Sequence, residues 1–335
     1  MYEQHFGLSG KPFQLNPDPD FFFGSRGHKR ARAYLEYGLH KGEGFIVITG
    51  EVGAGKTTLL QGLLRRLRSD SIVPAQIVST QLEADDLLRV VASAFGITGV
   101  DGAEKSELLA RLQAHLRSIH ASGKRALLVV DEAQNLSPRA VEELRMLSNF
   151  QVGTQSLVQS FLVGQPEFRA VLHRPEMQQL KQRVIASYHL GPLDAPETAH
   201  YIEHRLKHVG WRGEPRFDQE AYAEIHSLTG GIPRRINVLC DLVLLGACLS
   251  DKKQVTVGDV RETAREMDDG RAASPATAPA APDTKSTSQS NPDAVAELHR
   301  RIEALEAAQA VTAGVLQRLL AALRGRDKTQ HGRDG

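Results

Sequence analysis

The stretch GEVGAGKTT, residues 50–58, has the residue types and the spacing of a loop that holds phosphate. It fits G-x-x-x-x-G-K-[ST] through Gly50, Gly55, Lys56 and Thr57; Glu51, Val52, Gly53 and Ala54 make the bend, and Thr58 follows it. Glycines let the main chain curl until its N–H groups converge on phosphate oxygens, and a helix behind them adds the positive end of its dipole. Lys56 suits the β- and γ-phosphates and the Thr57 hydroxyl suits Mg²⁺. Such a loop predicts a second signal, an acidic residue closing another buried strand. ALLVVDEAQ, residues 126–134, supplies it. Asp131 is placed to hold Mg²⁺ through water, and Glu132 to polarise an attacking water. Carrying both favours hydrolysis over storage. The chain has no Asn-Lys-x-Asp segment to read guanine, so ATP is the expected nucleotide.

These residues need a strand in front of the loop and a helix behind it. FIVIT (45–49) enters and LLQGLLRRL (59–67) leaves. Further apolar runs follow: AQIVST (75–80), ALLVVD (126–131), SFLVG (160–164) and SYHLGPL (187–193). Continuous apolar strands separated by helical patterns predict a parallel sheet covered on both faces, an α/β P-loop NTPase fold. Residues 194–267 read as wholly helical, with helix starts near Pro196, Asp218, Pro233 and Val257, a small all-α lid. Prolines 12, 17 and 19 forbid a regular helix in HFGLSGKPFQLNPDPDFFF, so an extended segment pinned onto a domain is expected there. A helix from about Arg26 to His40 should follow it. DPD (18–20) reads as a turn rather than a metal site.

The expected division is 1–40 for the N-terminal segment and helix, 41–193 for the ATPase domain and 194–268 for the lid. Beyond it come a disordered Pro/Ala/Ser/Thr-rich linker over 269–292, a short coiled coil over 293–324 and a disordered tail over 325–335.

Composition narrows the function. Lys+Arg number 41 against 40 Asp+Glu, so no global charge draws the chain to nucleic acid. The local cluster Arg26, His28, Lys29, Arg30 and Arg32 keeps DNA open, although a solvated helix face explains it equally. No run approaches the roughly 18 apolar residues of a membrane span, and the N-terminus lacks the pattern of an export signal. A cytoplasmic protein, peripheral at most to the inner membrane, is expected. Cys240 and Cys248 lie about 12 Å apart along one apolar helix, too far for a disulfide. His200, His204 and His208 recur every four residues beside the apolar stripe of the first lid helix and read as solvated flanks rather than metal ligands.

With the P-loop, the DEAQ strand end and a helical lid, the chain resembles an AAA+ ATPase. FGLSGKPFQLNPDPDFFF, GEVGAGKTTLL and FLVGQPEF resemble the general secretion pathway protein A group, and KGEGFIVITGEVGAGKTT and VSTQLEADDLLR its members associated with exosortase (PEP-CTERM) systems. The resemblance covers about residues 1–267. It departs at the C-terminus, where the secretion group proper continues into a membrane span and a peptidoglycan-binding domain, so a cell-wall role is not expected. The resemblance implies that Gln165, after SFLVG, is the polar sensor beside the catalytic water. It implies that Arg183, ahead of the last strand, is an arginine finger for a neighbour's γ-phosphate, and that Arg234, in GGIPRRIN, is the lid sensor. Lys181 and Arg235 are their nearest rivals. The catalytic set is then Lys56, Glu132, Gln165 and Arg183, with ATP and Mg²⁺ as cofactors and Thr57 and Asp131 as metal residues. A homo-oligomer that remodels or regulates a membrane secretion or polysaccharide-export assembly, recruited through the coiled coil, is expected. A DNA-associated regulatory ATPase and a nucleotide-gated scaffold are the alternatives.

Overall fold

Alternation within the buried runs decides which helices cover which face of the sheet. In the first strand, β1 (Phe45–Gly50), Phe45 and Val47 face one layer and Ile46 and Ile48 the other, and every residue is buried. The computed structural model describes residues 2–16, 18–67, 71–78 and 83–272. The linker expected from 269, apart from its first few residues, the coiled coil over 293–324 and the tail over 325–335 lie outside them.

Ahead of β1 come a short helix α1 (Tyr2–His5) and α2 (Arg26–Lys41). The remaining elements of the α/β part are α3 (Lys56–Arg66), β2 (Ile72–Val78), α4 (Ala84–Ala94), α5 (Lys105–Ala121), β3 (Arg125–Asp131) and α6 (Pro138–Leu147). After them come a hairpin of β4 (Gln151–Val152) and β5 (Gln155–Ser156), then β6 (Val158–Gly164), α7 (Pro166–Leu172), α8 (Gln178–Lys181) and β7 (Val184–Leu190). The helical part holds α9 (Ala195–His208), β8 (Arg216–Phe217), α10 (Gln219–Thr229), α11 (Pro233–Leu249), β9 (Gln254–Val255) and α12 (Val257–Ala272).

The sheet is parallel throughout, in the order β2-β3-β6-β1-β7. This is the expected α/β P-loop NTPase architecture. Phe45, Leu128, Val130 and Leu162 join α4 to α8 in one layer; Ile46, Val129, Phe161 and Val163 join α2 and α3 in the other. Parallel order brings the C-terminal ends of β1, β3 and β6 together, where loops can assemble a site.

Several boundaries differ from expectation. β2 begins at Ile72, ahead of the AQIVST run, and passes through Pro74, which a sheet-edge position tolerates because one side of an edge strand needs no ladder donor. The last strand begins at Val184, ahead of SYHLGPL, and ends before Gly191-Pro192. The region after 194 is not wholly helical, since β8 and β9 pair in parallel across its base.

The N-terminal segment is built into the helical part. Tyr2, Leu8 and Phe13 are buried with Tyr201, Ile202, Leu206, Ile236 and Cys240. The Arg205 guanidinium, 7% exposed, donates to the Pro12 and Gln14 carbonyls and lies 4.7 Å over the Phe21 ring. Of the three phenylalanines, Phe21 and Phe23 pack on the helical part, and Phe22 packs on the sheet layer of α2 and α3. DPD forms a turn: Asp18 accepts the Asp20 N–H at 2.9 Å and caps the 3-10 turn Pro19–Phe21.

Of the three histidines of α9, His200 and His208 are exposed, as expected of solvated flanks, whereas His204 is half-buried. His208 rests on Phe21 at 4.1 Å, and His204 sits edge-on to Phe23 with its Nδ1 buried. The aromatic segment claims that face, which the helical period alone leaves open. Cys240 is buried and Cys248 half-buried on α11, both as free thiols.

Candidate functional site: a phosphate-binding cleft

β1 delivers Gly50 against β7 so closely that a Cβ there would lie 2.5 Å from the Leu190 carbonyl oxygen. The chain then turns, with the Ala54 N–H bonded to the Glu51 carbonyl at 3.1 Å, and α3 begins at Lys56. Gly53 and Gly55 have φ of 83° and 97°, a region costly to any residue with a Cβ. Lys56 is 7% exposed, and its Nζ donates to the Gly50 and Glu51 carbonyls at 2.7 and 3.0 Å. Burial pushes its pKa down, against the pull of Glu132 and Asp131. Thr57 and Thr58 lie half-buried in the first turn of α3, and Glu51 and Val52 are exposed at the rim.

Asp131 closes the buried strand β3 beside this turn. Its Oδ2 accepts the Thr57 hydroxyl at 3.1 Å and its Oδ1 the Glu132 N–H at 2.9 Å. Asp131 is 4% exposed, and burial raises its pKa although both hydrogen bonds oppose the shift. Two hard oxygen donors side by side at a glycine cradle fit a Mg²⁺–phosphate group.

Glu132 has φ of 53°, the left-handed region that non-glycine residues seldom adopt. Its Oε2 accepts from Gln134 Nε2 at 2.6 Å and from Gln165 Nε2 at 3.2 Å. Gln134 Oε1 in turn accepts the Gln165 N–H at 2.9 Å. Gln165, which follows β6, is thus brought beside Glu132. Gln134 is a residue the motif reading passed over, although it stands in DEAQ; only the closure of β3 on β6 shows it bridging the two strand ends.

The helical part closes the cleft. The Arg234 N–H, at the start of α11, donates to the Gly53 carbonyl at 3.2 Å, and the Arg234 side chain lies over Gly53. A cleft of about 1010 Å³, mouth included, runs between this contact, the phosphate loop and the aromatic N-terminal segment.

Residues 39–172 match a family model described as an AAA domain. The chain is 39% identical over 267 residues to General secretion pathway protein A of Aeromonas hydrophila, covering 80% of this chain and 48% of that protein. The chain thus spans about half the length of the curated relative it matches. Among solved structures it is similar to CDC6P from Pyrobaculum aerophilum, with a TM-score of 0.60, 19% identity and coverage of 79% of this chain and 70% of that one. It is also similar to the ADP form of the ORC2 protein of Aeropyrum pernix, with a TM-score of 0.58, 19% identity and coverage of 76% and 72%. At these identities the likeness establishes the fold.

Arg183 lies at the opposite end of the sheet from the cleft. Its carbonyl accepts the Phe45 N–H where β1 begins, and its guanidinium donates to Ser148 Oγ at 2.6 Å and to Asn149 Oδ1. The structure does not bring it to Lys56 or Glu132 of its own chain. In the basic cluster of α2, Arg26 pairs with Asp194 and Glu197 and Arg32 with Glu36, while His28 is buried against the phosphate loop. Arg26, Lys29 and Arg30 are exposed and Arg32 is half-buried, as expected of a solvated helix face; His28 alone leaves it.

Proposed function

We propose that the protein binds and hydrolyses ATP with Mg²⁺ and uses that cycle to regulate or remodel a membrane secretion or exopolysaccharide assembly of the exosortase-associated kind. The observation that carries the ATPase reading is the meeting of Thr57, Asp131, Glu132 and Gln165 at the end of the sheet, beside a glycine loop closed by Arg234. In this reading the backbone N–H groups of Gly53 to Thr58 and the Lys56 ammonium hold the phosphates. Thr57 and Asp131 would hold Mg²⁺, which would neutralise charge on the phosphate oxygens. Glu132 takes a proton from the attacking water, with Gln165 orienting both, and Arg234 reports the phosphate to the helical part.

Arg183 is proposed as a finger offered to a neighbouring copy, a role supported by its distance from its own cleft. A homo-oligomer follows from that assignment. The partition into an ATPase domain and a lid is proposed with its hinge near Pro192 and Leu193. No helix among the described residues is long and apolar enough to cross a membrane, in keeping with a cytoplasmic protein that meets the inner membrane through partners. The secretion or polysaccharide-export partner, reached through residues 293–324, rests on the resemblance.

Lys56→Ala should abolish ATP binding, whereas Glu132→Gln should bind ATP and not turn it over. Parental turnover by Glu132→Gln would refute the catalytic assignment. Affinity capture from the native host separates the cellular readings: membrane export components support the proposal, and DNA recovered in their place would replace it with a DNA-associated regulator.

A further inference from the structure

His28 is buried, titratable and aimed at the phosphate loop, yet the chemistry above does not use it. It arrives on α2, more than twenty residues before the loop in sequence. Ser25 caps that helix, and its Oγ accepts the His28 N–H at 3.2 Å and meets the ring Nδ1 at 2.7 Å. An oxygen already accepting the amide has its own proton to give, so Ser25 donates to Nδ1 and the ring proton sits on Nε2. That nitrogen faces the loop. It lies 2.7 Å from where a Cβ on Gly55 would stand, and the Ala54 main chain is near enough to pull the ring's pKa up against the larger effect of burial. Phe22 covers the ring edge-on at 5.5 Å, and only 5% of His28 is exposed. Burial holds its pKa below the ordinary histidine value, so the ring is neutral at pH 7.

The glycine loop is therefore gripped from two sides. Arg234 presses on Gly53 from the helical part, and His28 presses on Gly55 from α2. We infer that His28 is a positioning residue for phosphate binding: it fixes the Ala54–Gly55 main chain so that the loop's N–H groups stay converged on the phosphate position. It acts through the loop and not on the nucleotide. Phe22 and Ser25 belong to the segment whose Phe21 and Phe23 pack on the helical part, so the same contact ties the grip to that part's position.

This inference rests on the phosphate-site reading, and its test separates the two. Mg-ATP and Mg-ADP affinities are measured on the full chain by calorimetry, with turnover at saturating ATP measured alongside. His28→Ala should weaken both nucleotides about tenfold, as the curled loop loses its support, while kcat stays within about twofold. His28→Gln, whose side-chain amide carries an N–H to the same position, should restore affinity to within about threefold. Leu35→Ala, which removes a buried side chain of the same helix, should lower Tm and leave affinity at the parental value. Parental affinity in His28→Ala overturns the inference, as does a loss that His28→Gln fails to restore or that Leu35→Ala reproduces. If Lys56→Ala also binds at the parental level, the phosphate-site reading itself has fallen; if only His28→Ala does, the positioning role alone has.

Discussion

Replacing Arg183 by alanine removes a cation that its own cleft never meets. β1 spans Phe45 to Gly50, and five steps of about 3.3 Å set the Arg183 end of the sheet roughly 17 Å from the phosphate loop. An extended arginine reaches about 7 Å, so any action on a γ-phosphate must be on a neighbour's. Fingers of this kind contribute about 10³–10⁵ in turnover, or roughly 4–7 kcal/mol. In the free chain the guanidinium is bonded to Ser148 and Asn149. Giving up those two bonds costs about 1–3 kcal/mol together, which leaves about 1–6 kcal/mol, roughly a fivefold to twenty-thousand-fold effect. Specific activity should therefore rise with protein concentration, and Arg183→Ala should flatten the rise while ATP affinity barely changes. Mixing is the sharper assay. Inactive Arg183→Ala and inactive Glu132→Gln, combined equally, place an intact finger against an intact Glu132 at about a quarter of head-to-tail interfaces. About a quarter of parental activity should return. A mixture that co-assembles and stays inactive refutes the trans assignment, as does parental activity that is independent of concentration.

Gly53→Ala sets a Cβ 2.4 Å from the Arg234 Cβ at a φ of 83°; the conformational term alone costs about 1–2 kcal/mol, so Tm should fall by several degrees and ATP affinity with it, whereas an unchanged Tm would show that the loop and Arg234 are not packed this way. Acid should weaken the fold through His28 and His204, whose pKa values burial lowers from 6.5. Both are neutral when folded, so their contribution is present above about pH 6.5 and is lost as pH falls through that value toward the folded pKa, where the unfolded chain alone takes up protons. Tm measured from pH 7.5 down to 5.5 should decline, less steeply in His28→Gln than in the parent; equal slopes would remove His28 from this account.

The strand-turn-helix from Phe45 to Arg66 and the acidic end of β3 are legible in the amino-acid sequence alone, because each is encoded by contiguous residues. An apolar run, glycines where φ must be positive and a helix start cannot be satisfied by many other local arrangements. The sheet class is legible for a related reason: continuous apolar strands have to be covered on both faces. What periodicity reports is burial, not the identity of the neighbour, and there the tertiary structure decided. Helix α9 shows an apolar stripe, but nothing in its period tells that Phe21 meets His208 and Phe23 meets His204. The helix from Arg26 reads as a solvated face, and one buried histidine hardly alters its pattern; only the folded chain sets His28 beneath Gly55. Gln134 becomes a clamp on Glu132 when β3 and β6 pair and bring Gln165 beside it. Strand order likewise puts Arg183 beside the start of β1, far from the loop that β1 ends in. Contacts between residues distant in the chain depend on which strands pair and which helices pack across them, and these choices are made by the core as a whole.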